Sequence, residues 1–298
     1  MHRRAFFQKS MLSLGALTLG KHKILHAMQA DPWKITMLTS EIGIFTEKGG
    51  TIAFHFSKEG ITVIDAQFPD SAQHLINELK KRKDESFRLL INTHHHLDHT
   101  SGNIAFKGIT DRVLAHENSL TNQKRVAVAN KNEDKQYYPN QTFGTRWNEN
   151  IGKEKVALYY YGAGHTDGDA LIHFRHANIV HVGDLVFNRR HPYVDRSAGA
   201  NIQSWIKVLD AAMKEFDHKT VFICGHAGDN YDVKGSKEML LSFQEYLGNV
   251  LKLVEQDIKA GKSKDEILKT TEIPGSPQWK GDGIERPLTA AYEELTSG

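Results

Sequence analysis

Cysteine is almost missing from this chain of 298 residues, where Cys224 is the only one. A single cysteine excludes an intrachain disulfide. Long apolar runs are missing as well, and the weakly apolar residues 11–20 are too few to span a bilayer. The formal net charge is +2, and the densest basic cluster, residues 80–83, ends a predicted helix, where cations suit the dipole. The sequence therefore predicts no nucleic-acid partner and no stable membrane insertion.

The amino terminus carries a pattern that is typical of an export signal. Arg3 and Arg4 precede a short segment and then the weakly apolar stretch. This order resembles a twin-arginine signal, which directs folded bacterial proteins across the membrane. A protein that folds before export needs no disulfides outside, which agrees with the single cysteine. We expect a signal over residues 1–30, cleavage near Ala30, and a periplasmic or otherwise exported protein. An ordinary basic terminus is the alternative.

Apolar periodicity after the expected signal predicts a mixture of strands and helices. Hydrophobic residues make up 39% and charged residues 25%, as in a globular domain with a substantial core. Strands are predicted at residues 35–39, 42–46, 51–56, 61–64, 87–91, 112–115, 156–161, 170–174, 179–182 and 221–224. Helices are predicted at residues 70–81, 200–216, 236–260, 263–269 and 286–295. Without a repeat or linker, the pattern indicates one layered α/β domain over residues 31–298.

A dense group of metal-binding side chains follows the predicted strand at residues 87–91. His94 and His96 are two apart, so in extended chain they point to the same side and can bind one ion together. The chain can then turn at Asp98 and residues 100–102, which directs Asp98 and His99 at a second ion. Three imidazoles and a carboxylate this close in sequence predict a metal site. A polar histidine-rich loop is the alternative. The polar and aromatic residues 130–150 are predicted to form a loop over this site.

Four ligands do not complete two metal sites, so further ligands are expected at other strand ends. His165 lies between Gly164 and Gly168, after the apolar strand at residues 156–161. Asp184 and His226 follow the strands at residues 179–182 and 221–224, each directly after a glycine. A glycine turn at the end of a strand allows backbone and side chain to approach an ion closely.

These motifs together resemble the metallo-β-lactamase superfamily, whose HxHxDH signature is followed by a histidine, an aspartate and a histidine. The resemblance covers essentially the whole chain after the expected signal. Residues 164–169 and 178–188 are particularly similar to a poorly characterised group of bacterial hydrolases related to glyoxalase II. The resemblance implies a four-layer αββα sandwich with the site at one edge of the paired sheets.

Carried over position by position, the resemblance implies two metal ions and seven ligands. The implied ligands are His94, His96 and His165 for the first ion, Asp98, His99 and His226 for the second, and Asp184 as a bridge between them. Asp65, at the end of the strand at residues 61–64, matches a family aspartate that supports the ligand loop through hydrogen bonds.

Other polar residues receive simpler interpretations. His95 alternates away from the ligand side and is expected behind the ligands or at the solvent. Cys224 is interpreted as a small buried apolar residue. Arg189, Arg190 and His191 follow Asp184 closely and are candidates for binding an anionic group of the substrate, with a solvated loop as the alternative. The remaining histidines are expected to be structural, namely His116, His173, His176, His181 and His218.

The implied chemistry is metal-assisted hydrolysis of a small molecule. Zinc lowers the pKa of its bound water from 15.7 to about 7, and a pair of ions about 3.5–4 Å apart can share the hydroxide. We expect two Zn²⁺ ions, with iron or manganese tolerated by the mixed carboxylate and imidazole set. Asp98 is the expected catalytic residue, which orients the nucleophile and shuttles its proton. No G-x-S-x-G nucleophile motif is present. The expected substrate is an activated ester, thioester or lactone.

The sequence leaves some other functions open and disfavours others. A β-lactamase is the strongest enzyme alternative, although the family's lactamases carry cysteine or serine where this chain has Asp184. An RNA-processing nuclease would need a basic patch, and a flavin-linked diiron reductase would need a glutamate at His96. A metal-binding or interaction protein on a retired hydrolase scaffold is the alternative that is not an enzyme. The sequence leaves the oligomeric state open.

Overall fold

A computed structural model describes residues 32–297, and Pro32 begins a single compact unit. The expected signal at residues 1–30 lies outside the described residues. The first sheet contains, in spatial order, β1 (Lys34–Met37), β2 (Ile42–Thr46), β3 (Ile52–Ser57), β4 (Gly60–Ile64), β5 (Phe87–Ile91), β6 (Val113–His116) and β7 (Gln141–Phe143). Strands β1 to β4 are antiparallel, and β4 to β7 are parallel.

The second sheet is built from the following part of the chain. Its strands are β8 (Arg146–Ile151), β9 (Glu154–Tyr159), β10 (Leu171–Phe174), β11 (Ile179–Asn188), β12 (Val221–Ala227) and β13 (Lys234–Gly235), in spatial order from one edge to the other. β11 and β12 run parallel, and the other neighbours are antiparallel. The parallel pair brings two strands with predicted metal ligands side by side.

Helices cover the outer face of each sheet. They are α1 (Pro69–Arg82), α2 (Leu97–Thr100), α3 (Glu117–Asn130), α4 (Ile202–Glu215), α5 (Lys237–Lys259), α6 (Lys264–Ile267) and α7 (Glu285–Thr296). α1 illustrates their origin: a proline stands at its start, and Ala72, Leu75, Ile76 and Leu79 recur at helical spacing and are buried. Within residues 32–297 no helix is both long and apolar enough to cross a membrane.

Three apolar cores fill the spaces between four layers. One lies between the first sheet and its helices and includes Leu75 and Phe106, and another lies between the second sheet and its helices and includes Trp205 and Phe243. The third contains side chains from both sheets, such as Ile91 and Ile223. The fold is therefore the expected αββα sandwich.

The prediction of a loop at residues 130–150 is wrong. This segment supplies an edge strand to each sheet, β7 and β8. Burial along β8 alternates, as expected for a strand with one face in solvent, but its polar residues conceal that pattern in the sequence. The helix α3 is also absent from the sequence prediction, because its apolar face is weakly defined and its buried residues include Ser119, Asn122 and Gln123.

Candidate metal centre

The histidine run leaves β5 and enters the short helix α2. His94 lies in a bend after β5, His96 has an extended backbone just before the helix, and Asp98 and His99 lie in the helix. The bend before α2 and the turn of α2 therefore separate the two pairs of side chains. His94 and His96 fall in one group of metal-ligand type, and Asp98 and His99 fall in another.

His94, His96, His165 and Asp184 form the first metal-ligand group. Their ligand atoms lie within 4.8 Å of one another. His96 Nδ1 is 3.0 Å from His94 Nε2 and 2.8 Å from His165 Nε2. His165 comes from the loop after β9, and Asp184 comes from β11. The group therefore joins residues from both sheets.

Asp98, His99 and His226 form the second group. His226 Nε2 lies 3.1 Å from Asp98 Oδ2, and His99 Nε2 lies 3.8 Å from the same oxygen. Asp184 contacts this group as well, with Oδ1 3.1 Å from His99 Nε2 and Oδ2 3.4 Å from His226 Nε2. Its Oδ2 is also 3.5 Å from His165 Nε2 of the first group. The Asp184 carboxylate thus lies between the two groups.

Asp184 and His226 lie within strands, which differs from the sequence prediction. β11 continues through Asp184 to Asn188, and β12 continues through His226 to Ala227. Gly183 does not end its strand. It has a left-handed φ of 54° and marks an irregularity in the pairing of β11 with β12. Such an irregularity redirects a side chain while the strand continues.

The buried Asp65 holds the ligand loop from behind. Its Oδ1 accepts a hydrogen bond from the Thr93 backbone N–H at 2.8 Å, and its Oδ2 accepts from Thr93 Oγ1 and His99 Nδ1, each at 2.7 Å. Asp65 has a φ of 65°, an uncommon value for a residue with a side chain, directly after β4. Asp65 therefore lies where the family resemblance predicted an aspartate that supports the ligand loop.

Hydrogen bonds fix which nitrogen of each imidazole faces the site. His165 Nδ1 donates to the Tyr193 carbonyl at 2.8 Å, and His96 Nε2 donates to Asp195 Oδ2 at 2.9 Å. Thr93 Oγ1 donates to Asp65 and therefore accepts from His94 Nδ1 at 3.0 Å. Each ring presents its other nitrogen, with a free lone pair, to the first group. Three converging lone pairs form a set that can bind a cation.

The donor set fits divalent cations. His99 Nε2 and Asp184 Oδ1 are buried and, although only 3.1 Å apart, make no hydrogen bond of suitable geometry in the described part of the chain. Burial lowers the pKa of His94 well below its usual value and that of His165 to about 3, so both rings stay neutral. Burial alone would lower the pKa of His226, but Asp184 and Asp98 raise it to about 9. Carboxylates that favour a proton on His226 also favour a metal ion there.

His95 is buried, so its predicted alternative position at the solvent is wrong. It lies behind the ligand run, where its Nε2 is 3.5 Å from Asp195 Oδ2. His95, His96 and Asp195 form a third cluster of metal-ligand type. His96 already uses Nδ1 in the first group, so we interpret this cluster as support for His96. Asp195 and Tyr193 were missed from the sequence because they lie in an irregular segment without a motif.

Two connected depressions surround the ligands. The metal cavity, of about 340 Å³, is lined by ligands of both groups together with Phe187 and Tyr193. The outer cleft, of about 760 Å³, is lined by residues of β1 and β2 and by the β12–β13 connection. Asp98, His226 and Arg190 line both, so the outer cleft leads to the metal groups.

The three candidate substrate-binding residues lie in different places. Arg190 is exposed and lines both depressions, and His191 is buried but lines the metal cavity. Arg189 lies over the Trp279 ring, with its guanidinium carbon 4.2 Å from the ring centre, and lines a separate groove. The structure brings Arg190 and His191 to the metal site and directs Arg189 away from it.

The remaining residues have structural contacts. His181 is buried, and its Nε2 donates to the Thr51 carbonyl at 2.8 Å. His116 Nδ1 accepts from the Asn118 backbone N–H at the start of α3. Cys224 is buried, and burial raises the pKa of its thiol to about 12, which leaves it a neutral apolar group. His176 Nδ1 donates to the Lys153 carbonyl at 2.7 Å.

Sequence comparison matches residues 52–226 to the profile of the metallo-beta-lactamase superfamily. This range contains all seven candidate ligands and most of both sheets. The chain belongs to this superfamily. The family supports a metal-dependent hydrolase as the general class of protein.

Individual relatives are distant. A metallo-beta-lactamase type 2 of Bacillus cereus is 23% identical over 231 residues, which cover 74% of this chain and 86% of that protein. The alpha subunit of a 2,4-dinitroanisole O-demethylase of Nocardioides sp. is 27% identical over 164 residues, 54% of this chain and 47% of that protein. A solved metallo-beta-lactamase from Pontibacter korlensis has a TM-score of 0.62 at 21% identity and covers 73% of this chain and 99% of its own. This structural similarity establishes the fold.

Proposed function

We propose that this protein is a dinuclear metal hydrolase that cleaves an activated carbonyl compound, namely an ester, thioester or lactone. The observation that carries the proposal is the position of Asp184, whose two oxygens reach both ligand groups at 3.1–3.5 Å. A carboxylate between two sets of imidazoles is the arrangement expected for a bridging ligand. Zn²⁺ is the proposed metal, with iron or manganese as alternatives.

Two divalent ions held here would supply Lewis acidity and a hydroxide at neutral pH. The protein's own contribution is to fix the ligands and handle protons. Asp98 is the ligand with the most exposed side chain among the carboxylates of the site, at 33%, and it lines the outer cleft. Burial alone would raise its pKa, but His99 and His226 bring it to about 2, so Asp98 is ionised at neutral pH. It can therefore orient an attacking water by accepting a hydrogen bond from it, and we propose that it also relays the proton of that water.

The substrate preference follows from the leaving group. A thiolate or alkoxide leaves with modest assistance, whereas an amide nitrogen needs direct help from a metal or a proton donor. Asp184 bound to both ions would reduce the Lewis acidity that is left to assist an amide nitrogen. The Nocardioides relative is named for the demethylation of an aryl ether, so not every curated relative is named as a lactamase. We also propose that residues 164–169 relate this chain to the glyoxalase II-like hydrolases.

A β-lactamase is the second candidate, because four of the matched curated proteins and two of the matched solved structures carry that name. A non-enzymatic metal-binding protein is less favoured, since all seven ligand positions are filled and converge.

The deciding experiment combines metal analysis with a substrate panel of esters, thioesters, lactones, penicillins and carbapenems, compared as kcat/KM. We expect two metal ions per chain and a higher kcat/KM for at least one oxygen or sulfur ester. One ion or none would contradict the paired site, and a penicillin or carbapenem far ahead of every ester would favour the lactamase.

We also propose export through the twin-arginine signal at Arg3 and Arg4. Replacing both arginines with lysine keeps the charge and should retain the precursor in the cytoplasm. Appearance of the mature protein in the periplasm at an unchanged level would contradict the signal.

A further inference from the structure

A groove beside the metal cavity lies between the segment at residues 193–197 and the helix α7. This depression, the α7 groove, has a volume of about 310 Å³. We propose that it is a subsite for a neutral aromatic or apolar substituent of the substrate. The proposal rests on the proposed hydrolase function and adds a position for one end of the substrate.

The α7 groove continues into the metal cavity. Tyr193 and Arg286 line both depressions. Both side chains are about half exposed, so the boundary between groove and cavity lies at the protein surface and not in a packed core. A molecule bound in the cavity can therefore extend into the groove without displacing buried side chains.

The α7 groove and the outer cleft meet the metal cavity at different ligand groups. Tyr193 lies beside the first group, with its ring centre 5.5 Å from that of His96 and its carbonyl accepting a hydrogen bond from His165 at 2.8 Å. The outer cleft meets the cavity at Asp98 and His226, which belong to the second group. The metal cavity therefore opens at two ends, and a substrate whose scissile carbonyl lies between the two groups can place one substituent at each end.

The charges in the α7 groove are already compensated. The charged residues that line it are Asp195, Arg196, Glu285, Arg286 and Glu293. Each of them has an ion-pair or hydrogen-bond partner within the protein, at 2.9–3.9 Å. A charged substituent would gain an ion pair there only by competing with such a partner, whereas a neutral substituent needs no partner when it leaves water. The groove therefore favours a neutral substituent.

The uncharged surface of the groove suits an aryl or apolar group. Val194 and Ala290 contribute aliphatic surface, and Tyr193 contributes an aromatic ring that is 47% exposed. An exposed ring beside a cavity can pair with an aryl group in an offset or edge-to-face arrangement. The α7 wall of the groove lies beyond residue 226, where the family match ends. We therefore expect the preference for this substituent to be specific to this chain.

The two openings of the cavity narrow the proposed substrates. An open-chain ester or thioester has a separate group on each side of its scissile bond, whereas a small lactone closes both sides into one ring. The outer cleft, of about 760 Å³, can hold the larger of the two groups. The expected substrate is thus an open-chain ester or thioester with an aryl or apolar group on the side of the first metal group.

The first test measures binding without turnover. Hydroxamic acids bind metal ions and carry one substituent on the carbonyl carbon and one on nitrogen. N-(2-phenylethyl)-3-phenylpropanohydroxamic acid has two aryl arms, and each one-armed analogue has a methyl group in place of one arm. In calorimetric titration of the metal-loaded protein, the two-armed probe should bind at least about tenfold more tightly than either analogue. Equal affinities, or no binding by any of the three probes, would overturn the subsite.

Filling the groove should abolish this gain. Thr289 on α7 lines the groove, and Thr289→Trp places an indole in it. The matched control is Thr296→Trp, seven positions further along the same helix, where the exposed Thr296 lines neither the groove, the metal cavity nor the outer cleft. Thr289→Trp should bind the two-armed probe no more than about threefold better than the one-armed probes, and the control should retain the tenfold gain. A full gain in a folded Thr289→Trp would contradict the position of the subsite.

Tyr193→Ser gives a second measurement if Thr289→Trp folds poorly. The ring of Tyr193 is exposed, and its carbonyl, which holds His165, remains in the variant. We expect the gain from the second aryl arm to fall to about threefold or less, with metal affinity unchanged. An unchanged gain would show that the arm does not lie against this ring.

The neutral character of the subsite has its own test. Probes in which both arms end in a carboxylate, or both in an ammonium group, should bind the parent and Thr289→Trp within about twofold of each other, because neither charge has an uncompensated partner in the groove. A tenfold loss for either charged probe in Thr289→Trp would contradict a neutral subsite.

Turnover separates the subsite from the hydrolase function. S-(2-phenylethyl) 3-phenylpropanethioate is compared with the two thioesters that carry methyl in place of one arm. We expect kcat/KM to be at least about tenfold higher for the two-armed thioester in the parent, and this advantage to disappear in Thr289→Trp. Hydrolysis of all three at equal kcat/KM would overturn the subsite and leave the hydrolase intact. Hydroxamate binding that depends on the open groove, with no ester or thioester hydrolysed, would retain the subsite and contradict the proposed function.

Discussion

Asp195 accepts a hydrogen bond from Nε2 of His96 at 2.9 Å and thereby leaves Nδ1 of that ring for the first metal group. The two residues are separated by 99 positions in sequence. A bond of this kind sets the tautomer and the orientation of a metal-binding imidazole.

Asp195→Ala should therefore weaken metal binding without removing a ligand. The expected loss in affinity at the first group is about 10- to 100-fold, the range typical of an outer hydrogen bond to a ligand. Competition with a chromophoric chelator measures it. Asp210→Ala, which alters an exposed aspartate paired with Lys214 on α4, is the control. An affinity equal to that of the parent would show that Asp195 does not position His96.

Asp184→Ser tests the bridge itself. Six other ligands remain, so we expect the fold to persist. The affinity for one of the ions should fall by a larger factor than in Asp195→Ala, and turnover should fall as well. Metal titration followed by circular dichroism separates loss of metal from loss of structure. Asp229→Ser changes an exposed aspartate and should leave both affinities unchanged. If Asp184→Ser held both ions as tightly as the parent, the bridging role would be wrong.

Gly225→Ala should disturb the site through steric overlap. A Cβ at Gly225 would overlap Oδ1 of Asp184, and the Gly225 carbonyl accepts two hydrogen bonds from Thr51, at 2.9 and 3.0 Å. The backbone is therefore held in place, and Asp184 must move. We expect metal affinity to fall at least about tenfold. Gly248→Ala in α5, where a Cβ meets nothing within 4 Å, should instead raise stability by up to about 1 kcal/mol. Unchanged metal affinity in Gly225→Ala would contradict the overlap.

Glu149 links the two sheets and predicts a pH dependence of stability. Its carboxylate on β8 accepts hydrogen bonds from Arg112 and from Arg88 on β5, each at 2.6 Å. The Arg112 bond, followed by Arg88, outweighs partial burial and lowers the pKa of Glu149 from 4.5 to about 2. A lowered pKa means that the ionised group stabilises the folded state above about pH 4.5, and that this contribution disappears as the pH falls toward 2.

Glu149→Gln should accordingly lower the free energy of unfolding by about 1 kcal/mol at pH 7, a figure reduced for partial exposure. The difference from the parent should shrink steadily below pH 4.5. Urea unfolding of both proteins between pH 3 and 7 measures it, with Glu255→Gln, from an exposed pair in α5, as the control. A difference that stays constant across this range would contradict the assigned role.

The parts of the fold that sequence could predict are those with a local pattern. The helix α1 shows regular apolar spacing, β5 is a short apolar run, and the histidine run follows β5 within a few residues. Its division into two pairs follows from local geometry. β7 and β8 were missed because polar edge strands lack an apolar signature, and α3 because its buried face is largely polar.

The surroundings of the ligands could not be predicted in the same way. The contacts of His96 with Asp195 and of His191 with Tyr246 join residues far apart in sequence, and no short motif marks either pair. Arg189 and Arg190 are neighbours that the sequence treats alike. Arg189 has a left-handed φ of 60°, and its side chain lies on Trp279, whereas Arg190 lines the cavity.

Each sheet is one continuous half of the chain, β1 to β7 first and β8 to β13 second. Both ligand groups take members from both halves, since His94, His96, Asp98 and His99 precede the boundary and His165, Asp184 and His226 follow it. A bound ion would therefore be a cross-link between two consecutive halves. Ions that bind only when the halves are docked stabilise the docked state by RT ln(1 + c/Kd), where c is the free metal concentration. The melting temperature should therefore rise with the concentration of free metal. Separation of the sheets would release both ions together, and metal loss would serve as a direct report of that motion.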